Sequence, residues 1–382
     1  MTIFLKNGIF LIRKMDKNRK IPTESGIIDQ LRQGSIELPP LSFRFLQGAE
    51  NKGRDAGFDA QVEFSWLKEN AKFAVECKAL STPKAFQAGL IQLKSAKLPK
   101  GLLPMLCLPF LSEIQLRQLE SERLSGIDVC GNGVVIAPGK FYVFRTGGKN
   151  RFSSWAPIKN VYRKNTSMVG RVFLARPVYA AVQEIWSEIS RRNPLVAIWN
   201  KKPIGLSTVS KALKTLEEDL IVARNGGIRL LQADKLLDKL SENYEPPVAA
   251  RRVQLKIQEK PKMIRNLLAQ VSKKTGLPVT ATGTSSVSRY TVMQRGELLS
   301  VYCPTMEPML AKLPDSKSDR FPNLELIEVE EETVYFDAQE EGGFFWASPV
   351  QVYLELMAGD KRDQETAEQL KPSIKKALES IC

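Results

Sequence analysis

The chain has no histidine among its 382 residues. That absence excludes the triads run by an imidazole base, the His-ligated zinc sites and the nuclease chemistries built on a histidine. Cysteine is sparse: five residues, at positions 77, 107, 130, 303 and 382, show no C-x-x-C spacing. Neither a disulfide framework nor a structural zinc site is expected from them. Long apolar runs are missing too. The apolar opening from Ile3 to Ile12 is broken by Lys6 and lacks a small-residue cleavage site, so no membrane span and no signal peptide are expected. The expectation is a cytoplasmic chain with no membrane partner. Any catalysis in it must run on carboxylates, lysine, hydroxyls or a carboxylate-held metal.

What the chain has in excess is positive charge. Fifty-six Lys and Arg oppose 42 Asp and Glu, a formal net charge of +14. Nucleic acid, an anionic membrane or an acidic protein could each exploit that bias. A hydrophobic fraction of 43% supplies packed cores, and the length predicts two or three domains.

Punctuation along the chain divides it into five parts. Residues 1–21 read as a basic arm with Lys14, Lys17, Arg19 and Lys20. Residues 22–145 alternate short strands with helices and predict a mixed sheet flanked by helices. Residues 146–169 are polar and basic and read as a linker. Residues 170–245 are mainly helical and end at Pro246-Pro247. Residues 246–382 predict a C-terminal α+β domain, with a basic helix at Lys256–Lys274 and helices from Ser348 to Ile381. The acidic run Glu328–Glu332 reads as a solvated strand edge. The expected fold class is thus α/β plus α+β, in several domains.

The most chemical stretch is DAGFDAQVEF, KFAVECKAL and AFQAGLIQLK. Alternation predicts strands at Phe58–Phe64 and Lys72–Lys78 and a helix at Pro83–Lys97. Side chains two apart on a strand share a face, so Glu76 and Lys78 project together; Asp59 joins them if the strands are neighbours. Metal-dependent phosphodiester cleavage needs this set, two carboxylates for a hard cation and a lysine to orient the attacking water. Asp59 and Glu76 are the candidate metal ligands, Mg2+ the ion that suits them, and Gln92 and the Cys77 carbonyl the further candidates. The same Glu76 and Lys78 also read as an ordinary exposed ion pair worth little. In the order Asp59, Glu76, Lys78, Gln92, the segment resembles the PD-(D/E)XK nuclease superfamily. That resemblance implies a nuclease-type mixed sheet, in which a helical acid, here Glu24 or Glu37, sometimes completes the site.

The second signal is PIGLSTVSKALKTLEEDLIVARNGGIRLL, from Pro203. Val209, Leu213 and Leu216 mark a buried helix face, which leaves Thr208, Lys211 and Lys214 outside, with Ser207 as the expected N-cap. Asn225-Gly226-Gly227 between two short apolar runs predicts a hairpin flanked by Arg224 and Arg229. A helix from Pro177 to Arg192 would pack behind. Helix, charged helix and hairpin in this order predict a winged helix-turn-helix on double-stranded DNA. A plain helical bundle with a solvated polar face is the alternative.

Across most of the chain the order of parts resembles the AbiEi-type antitoxins of type IV toxin-antitoxin systems, winged-helix transcriptional regulators. The segments that carry the resemblance are GIDVCGNGVVI at 126–136, LSTVSKALKTLEEDLIV at 206–222, TATGTSSVSRYT at 280–291 followed by LLSVYCP, and SPVQVYLELMAGDKRDQETAEQL at 348–370. It implies a promoter-binding regulator that counters a nucleotidyltransferase-like toxin and needs no cofactor. Ser207, Thr208, Ser210, Lys211 and Lys214 are its recognition-helix positions. A homodimer is compatible, though no interface is legible. Asp128 and Asn132 read first as a turn that holds the backbone at Gly131 and Gly133, and second as functional residues.

Overall fold

The computed structural model describes residues 20–48, 58–152, 156, 158–292, 298–313 and 321–379. The expected basic arm, apart from Lys20 and Ile21, lies outside them. The described residues form two compact units divided between residues 155 and 156.

The first unit opens with helix α1 (Glu24–Arg32), whose first turn is capped by the Thr23 hydroxyl and whose inner face buries Ile27 and Leu31. Then follow β1 (Ser42–Gly48), β2 (Ala60–Trp66), β3 (Glu69–Cys77), α2 (Pro83–Ser95), β4 (Leu102–Leu108), α3 (Glu113–Ser121), β5 (Ser125–Asp128), β6 (Gly133–Ala137) and β7 (Phe141–Arg145). The strands make one seven-stranded sheet in chain order. β1 to β3 are antiparallel neighbours, whereas α2 and α3 are the crossovers that let β4 and β5 lie parallel to β3. Continuous apolar runs such as FAVEC and PMLCL suit strands covered on both faces. One face packs α1 over Val62, Phe64, Phe73 and Met105; the other packs Phe86, Leu90 and Leu93 of α2 and Leu116 and Leu119 of α3. The expected strands are present with shifted ends. β1 was not anticipated, although Phe43 and Phe45 alternate in it.

The second unit begins with a helical part: α4 (Met168–Arg171), β8 (Val178–Tyr179), α5 (Val182–Arg191), α6 (Pro194–Ala197), α7 (Leu206–Glu218), β9 (Val222–Ala223), β10 (Ile228–Leu230) and α8 (Ala233–Glu242). β8, β10 and β9 form a small antiparallel sheet in that order. The helix expected from Pro177 starts only at Val182, because Val178 and Tyr179 are spent on β8. Gly226 and Gly227 both take positive φ in the β9–β10 turn, a conformation glycine adopts without a Cβ clash.

The chain continues through β11 (Arg251–Leu255), α9 (Pro261–Thr275), β12 (Thr280–Ala281), α10 (Gly283–Ser286), β13 (Leu299–Cys303), α11 (Glu307–Leu310), β14 (Leu324–Glu328), β15 (Gln339–Glu341), β16 (Phe344–Trp346), α12 (Pro349–Met357) and α13 (Lys361–Glu379). Its six strands form a mixed sheet ordered β11-β14-β13-β12-β16-β15.

The parts expected as separate domains at 170–245 and 246–382 are joined by one hydrophobic cluster, while β11 to β14, β16 and α9 pack around a second one, with Leu268, Val301, Leu324 and Leu326. Val352, Leu354 and Leu356 of α12 and Leu370 and Ile374 of α13 join Leu213, Leu216, Leu236 and Leu240 in a single cluster. Val161, Tyr162, Met168 and Val169, inside the stretch expected as a linker, are buried in the same cluster. The acidic run is not the solvated edge expected of it. Glu332 is buried and accepts from the side-chain amides of Asn165, at 3.2 Å, and Asn193, at 2.7 Å. Glu328 accepts from Met306 N at 2.8 Å.

Candidate nucleic-acid interface and carboxylate site

Helix α7 separates its residues by face. Val209, Ala212, Leu213 and Leu216 are fully buried. At about 100° per residue, Ser207, Ser210, Lys211 and Lys214 fall within an arc of about 100° on the opposite side. All four are exposed, and Thr208 sits half-buried on the flank. No ion pair engages Lys211 or Lys214 among the described residues. The acids of the helix, Glu217 and Glu218, lie in its last turn, so only the first three turns present hydroxyls and cations.

The cap differs from expectation. Gly205 is the N-cap, with no side-chain bond, and Ser207 already lies inside the first turn. Its hydroxyl is therefore left for solvent or a ligand. α5 seats α7 from behind: Ile185 and Ile189 are buried, and the Trp186 indole N–H donates to the Ile204 carbonyl at 2.7 Å. That bond holds the loop leading into α7. In the hairpin, Arg224 and Arg229 are exposed; Arg224 lies 3.9 Å from Glu217, and no ion pair engages Arg229 among the described residues.

In the first unit the carboxylates meet. Asp59 N–H donates to the Val75 carbonyl at 2.8 Å, one step before the Ala60–Val75 pair, so Asp59 stands across from Glu76. Asp59 Oδ2 accepts from Cys77 N at 2.7 Å, and Lys78 Nζ donates to Glu76 Oε1 at 2.6 Å. Glu76 is buried, and its carboxyl is raised above the ordinary range, first by desolvation, with Asp59 and Glu24 adding repulsion and Lys78 opposing them. Glu24 is the first residue of α1. Glu37 follows α1 in a loop, and no contact joins it to the three.

Gln92 is exposed and likewise makes no contact with them. It is the tenth residue of α2, about 13 Å along the axis from a start that lies beside the end of β3. Among the described residues there is no group of three or more acidic or thiol side chains able to hold a metal. The donor set is two carboxylates, with no hydrogen-bond donor on Oδ1 of Asp59 or Oε2 of Glu76 among the described residues. A hard divalent cation completed by water fits such a set.

Asp128 does not belong to this cluster. Its two oxygens accept from the backbone N–H of Leu111, Cys130 and Asn132 and from the Asn132 amide, at 2.7 to 2.8 Å. Asn132 in turn holds Gly148 through both of its atoms. Gly131, at φ +92°, turns the chain between them. This is the turn read from the sequence, a carboxylate spent on three backbone N–H groups and one side-chain amide.

No described helix is long and apolar enough to cross a membrane. The family described as transcriptional regulator, AbiEi antitoxin, type IV TA system matches residues 229–378, from β10 to near the end of α13. No curated protein and no solved structure matches the chain.

Proposed function

We propose that this chain, whose residues 229–378 match the AbiEi-type regulators of type IV toxin-antitoxin systems, is a winged-helix repressor that binds promoter DNA through α7. One observation carries the reading: α7 buries one face completely and offers Ser207, Ser210, Lys211 and Lys214 on the other, with no internal partner for either lysine among the described residues. In this reading α5 and α7 are the helix-turn-helix, β8, β10 and β9 the sheet, and residues 224–229 the wing. Lys211 and Lys214 bind phosphates; Ser207, Thr208 and Ser210, near the helix start, reach base edges. Arg224 and Arg229 extend the phosphate footprint. The partner countered would be a nucleotidyltransferase-like toxin encoded beside it. The test is binding of the intact protein to its own upstream duplex and to a scrambled duplex of equal length. Preference for the former supports the reading; equal affinity sinks it.

A second reading has its own support in the convergence of Asp59, Glu76 and Lys78. In it the first unit is a nuclease-type fold like the PD-(D/E)XK superfamily, and Asp59 and Glu76 would hold Mg2+, which supplies electrophilic activation of a phosphodiester. Lys78 would then leave Glu76 and orient water, a positively charged donor beside the scissile group. Plasmid incubated with Mg2+ and wild type, Glu76→Ala or Lys78→Ala decides it. Cleavage by wild type alone supports a nuclease, and equal residual cleavage in all three assigns it to a contaminant.

A further inference from the structure

Within the second unit, a small cavity of about 80 Å³ lies between the helical part and the C-terminal part, with Arg171 among its walls. Arg171 is only 5% exposed and has no carboxylate in salt-bridge range among the described residues. Its Nη1 donates to the Thr333 carbonyl at 3.0 Å and to Gln351 Oε1 at 2.7 Å. Nε is buried with no partner. Nη2 has no hydrogen-bond partner among the described residues, and Arg171 lines the cavity. Nε is closed off from any group the size of water, so Nη2 is the donor left for a ligand, and leaving a buried cationic donor unpaired is costly.

The rest of the wall points the same way. Lys164 stands exposed at the rim with no ion pair among the described residues, next to Arg163, which is paired with Glu245. Tyr244 accepts at its hydroxyl oxygen from Gln351 at 3.1 Å, so its own proton is uncommitted. Tyr162 gives its proton to Asp219 at 2.6 Å and serves as wall only. Two carboxylates line the cavity, Glu245, which is paired with Arg163, and Glu331, which accepts from Thr333 Oγ1. Glu331 lies beyond ion-pair distance of Arg171, and it favours the guanidinium's charge from there without pairing with it. Burial nevertheless holds Arg171 down to about 10, still cationic at neutral pH but short of counter-charge.

We propose that this cavity is an oxyanion site that takes one phosphate group, held by Nη2 of Arg171, with Lys164 and the Tyr244 hydroxyl completing it. A tetrahedral oxyanion suits the three donors better than a carboxylate, because it brings more than two oxygens to meet them. The free ion and the phosphate of a nucleotide offer the same chemistry, and the cavity admits the group rather than a whole nucleoside.

The test titrates the full-length protein with sodium phosphate, adenosine monophosphate or sodium acetate, against sodium chloride at matched ionic strength, by calorimetry and thermal unfolding. One phosphate per chain is expected to bind and to raise the unfolding midpoint. Binding by both phosphate and the monophosphate ester identifies an ester-tolerant site; binding by phosphate alone identifies a site for the free ion. Lys164→Gln should weaken phosphate several-fold, and Arg171→Lys, which keeps the charge and loses the planar Nη2 donor, should weaken it several-fold too. A Lys211→Gln, Lys214→Gln double variant should bind phosphate as wild type does. The proposal is overturned if phosphate does no more than chloride, if acetate binds as well as phosphate, or if the Lys211 and Lys214 variant loses the binding. Should Arg171→Lys fail to fold, Lys164→Gln decides alone, and unchanged phosphate affinity in it counts against the site.

Discussion

Two sets of basic and polar side chains invite functional readings, and they differ in how much of their capacity is already used. In the first unit Lys78 is spent on Glu76, and one oxygen of Asp59 is spent on Cys77 N. On α7 the cations Lys211 and Lys214 are spent on nothing inside the described protein. Internal pairs stabilise a fold whether or not a ligand arrives, whereas exposed unpaired cations on a rigid helix gain only when an anion does. The difference favours α7 as the surface built for an external partner, and leaves the carboxylate cluster needing a cation to reopen it.

The sharpest break of this contrast acts on the seat of α7. Leu213→Ala removes a fully buried side chain from the cluster that joins α7 to α12 and α13, so a loss of about 2–5 kcal/mol is expected by denaturant unfolding. A loss below about 0.5 kcal/mol would mean that the helix is not packed as described.

Next comes a pair of lysine truncations. Lys78→Met strands buried Glu76 and should cost roughly 1–3 kcal/mol at neutral pH, whereas Lys211→Met should stay within about 0.5 kcal/mol of wild type. The pH dependence carries a sign. The folded Glu76 carboxyl titrates above its ordinary 4.5, so the folded state keeps its proton to higher pH than the unfolded chain. Stability from this group is therefore greatest below 4.5 and is lost as pH rises through the raised value. The fall should steepen in Lys78→Met. If both lysine variants behave alike, the contrast between spent and unspent cations disappears.

The smallest effect concerns α5, which supports α7. Glu188 is lowered to about 2, chiefly by its hydrogen bond to Arg191, and also by its bond to Arg192. Its contribution is present above 4.5 and is lost as pH falls from there toward about 2. Glu188→Gln should remove that acid-limb dependence and lower neutral-pH stability by the same small amount, since the amide stands where the protonated acid would; an unchanged acid limb would show that the pair is idle.

How much of this was legible in the sequence follows from where each signal lives. The two faces of α7 are local periodicity, so Val209, Leu213, Lys211 and Lys214 could be assigned without a fold. The pairing of Asp59 with Glu76 required only that two short strands be neighbours. The cap could not be separated by spacing, because Gly205 and Ser207 both suit a helix start. Gln92 was placed by helix membership, which is blind to how far along the axis it travels. The union of residues 156–382 into one unit was illegible because α12 and α13 close the core from more than a hundred residues away. For the same reason Arg171, whose partners are Thr333 and Gln351, gave no sign in the chain.

The measurement that bears most directly on the central claim is the salt dependence of binding to the upstream duplex, for wild type and for Lys211→Ala, Lys214→Ala. Affinity is predicted to fall steeply with salt, and the double variant to bind more weakly, with a log–log slope shallower by about 2, roughly one for each lysine withdrawn from a phosphate. Identical slopes for the two proteins would contradict the claim that α7 lies on DNA.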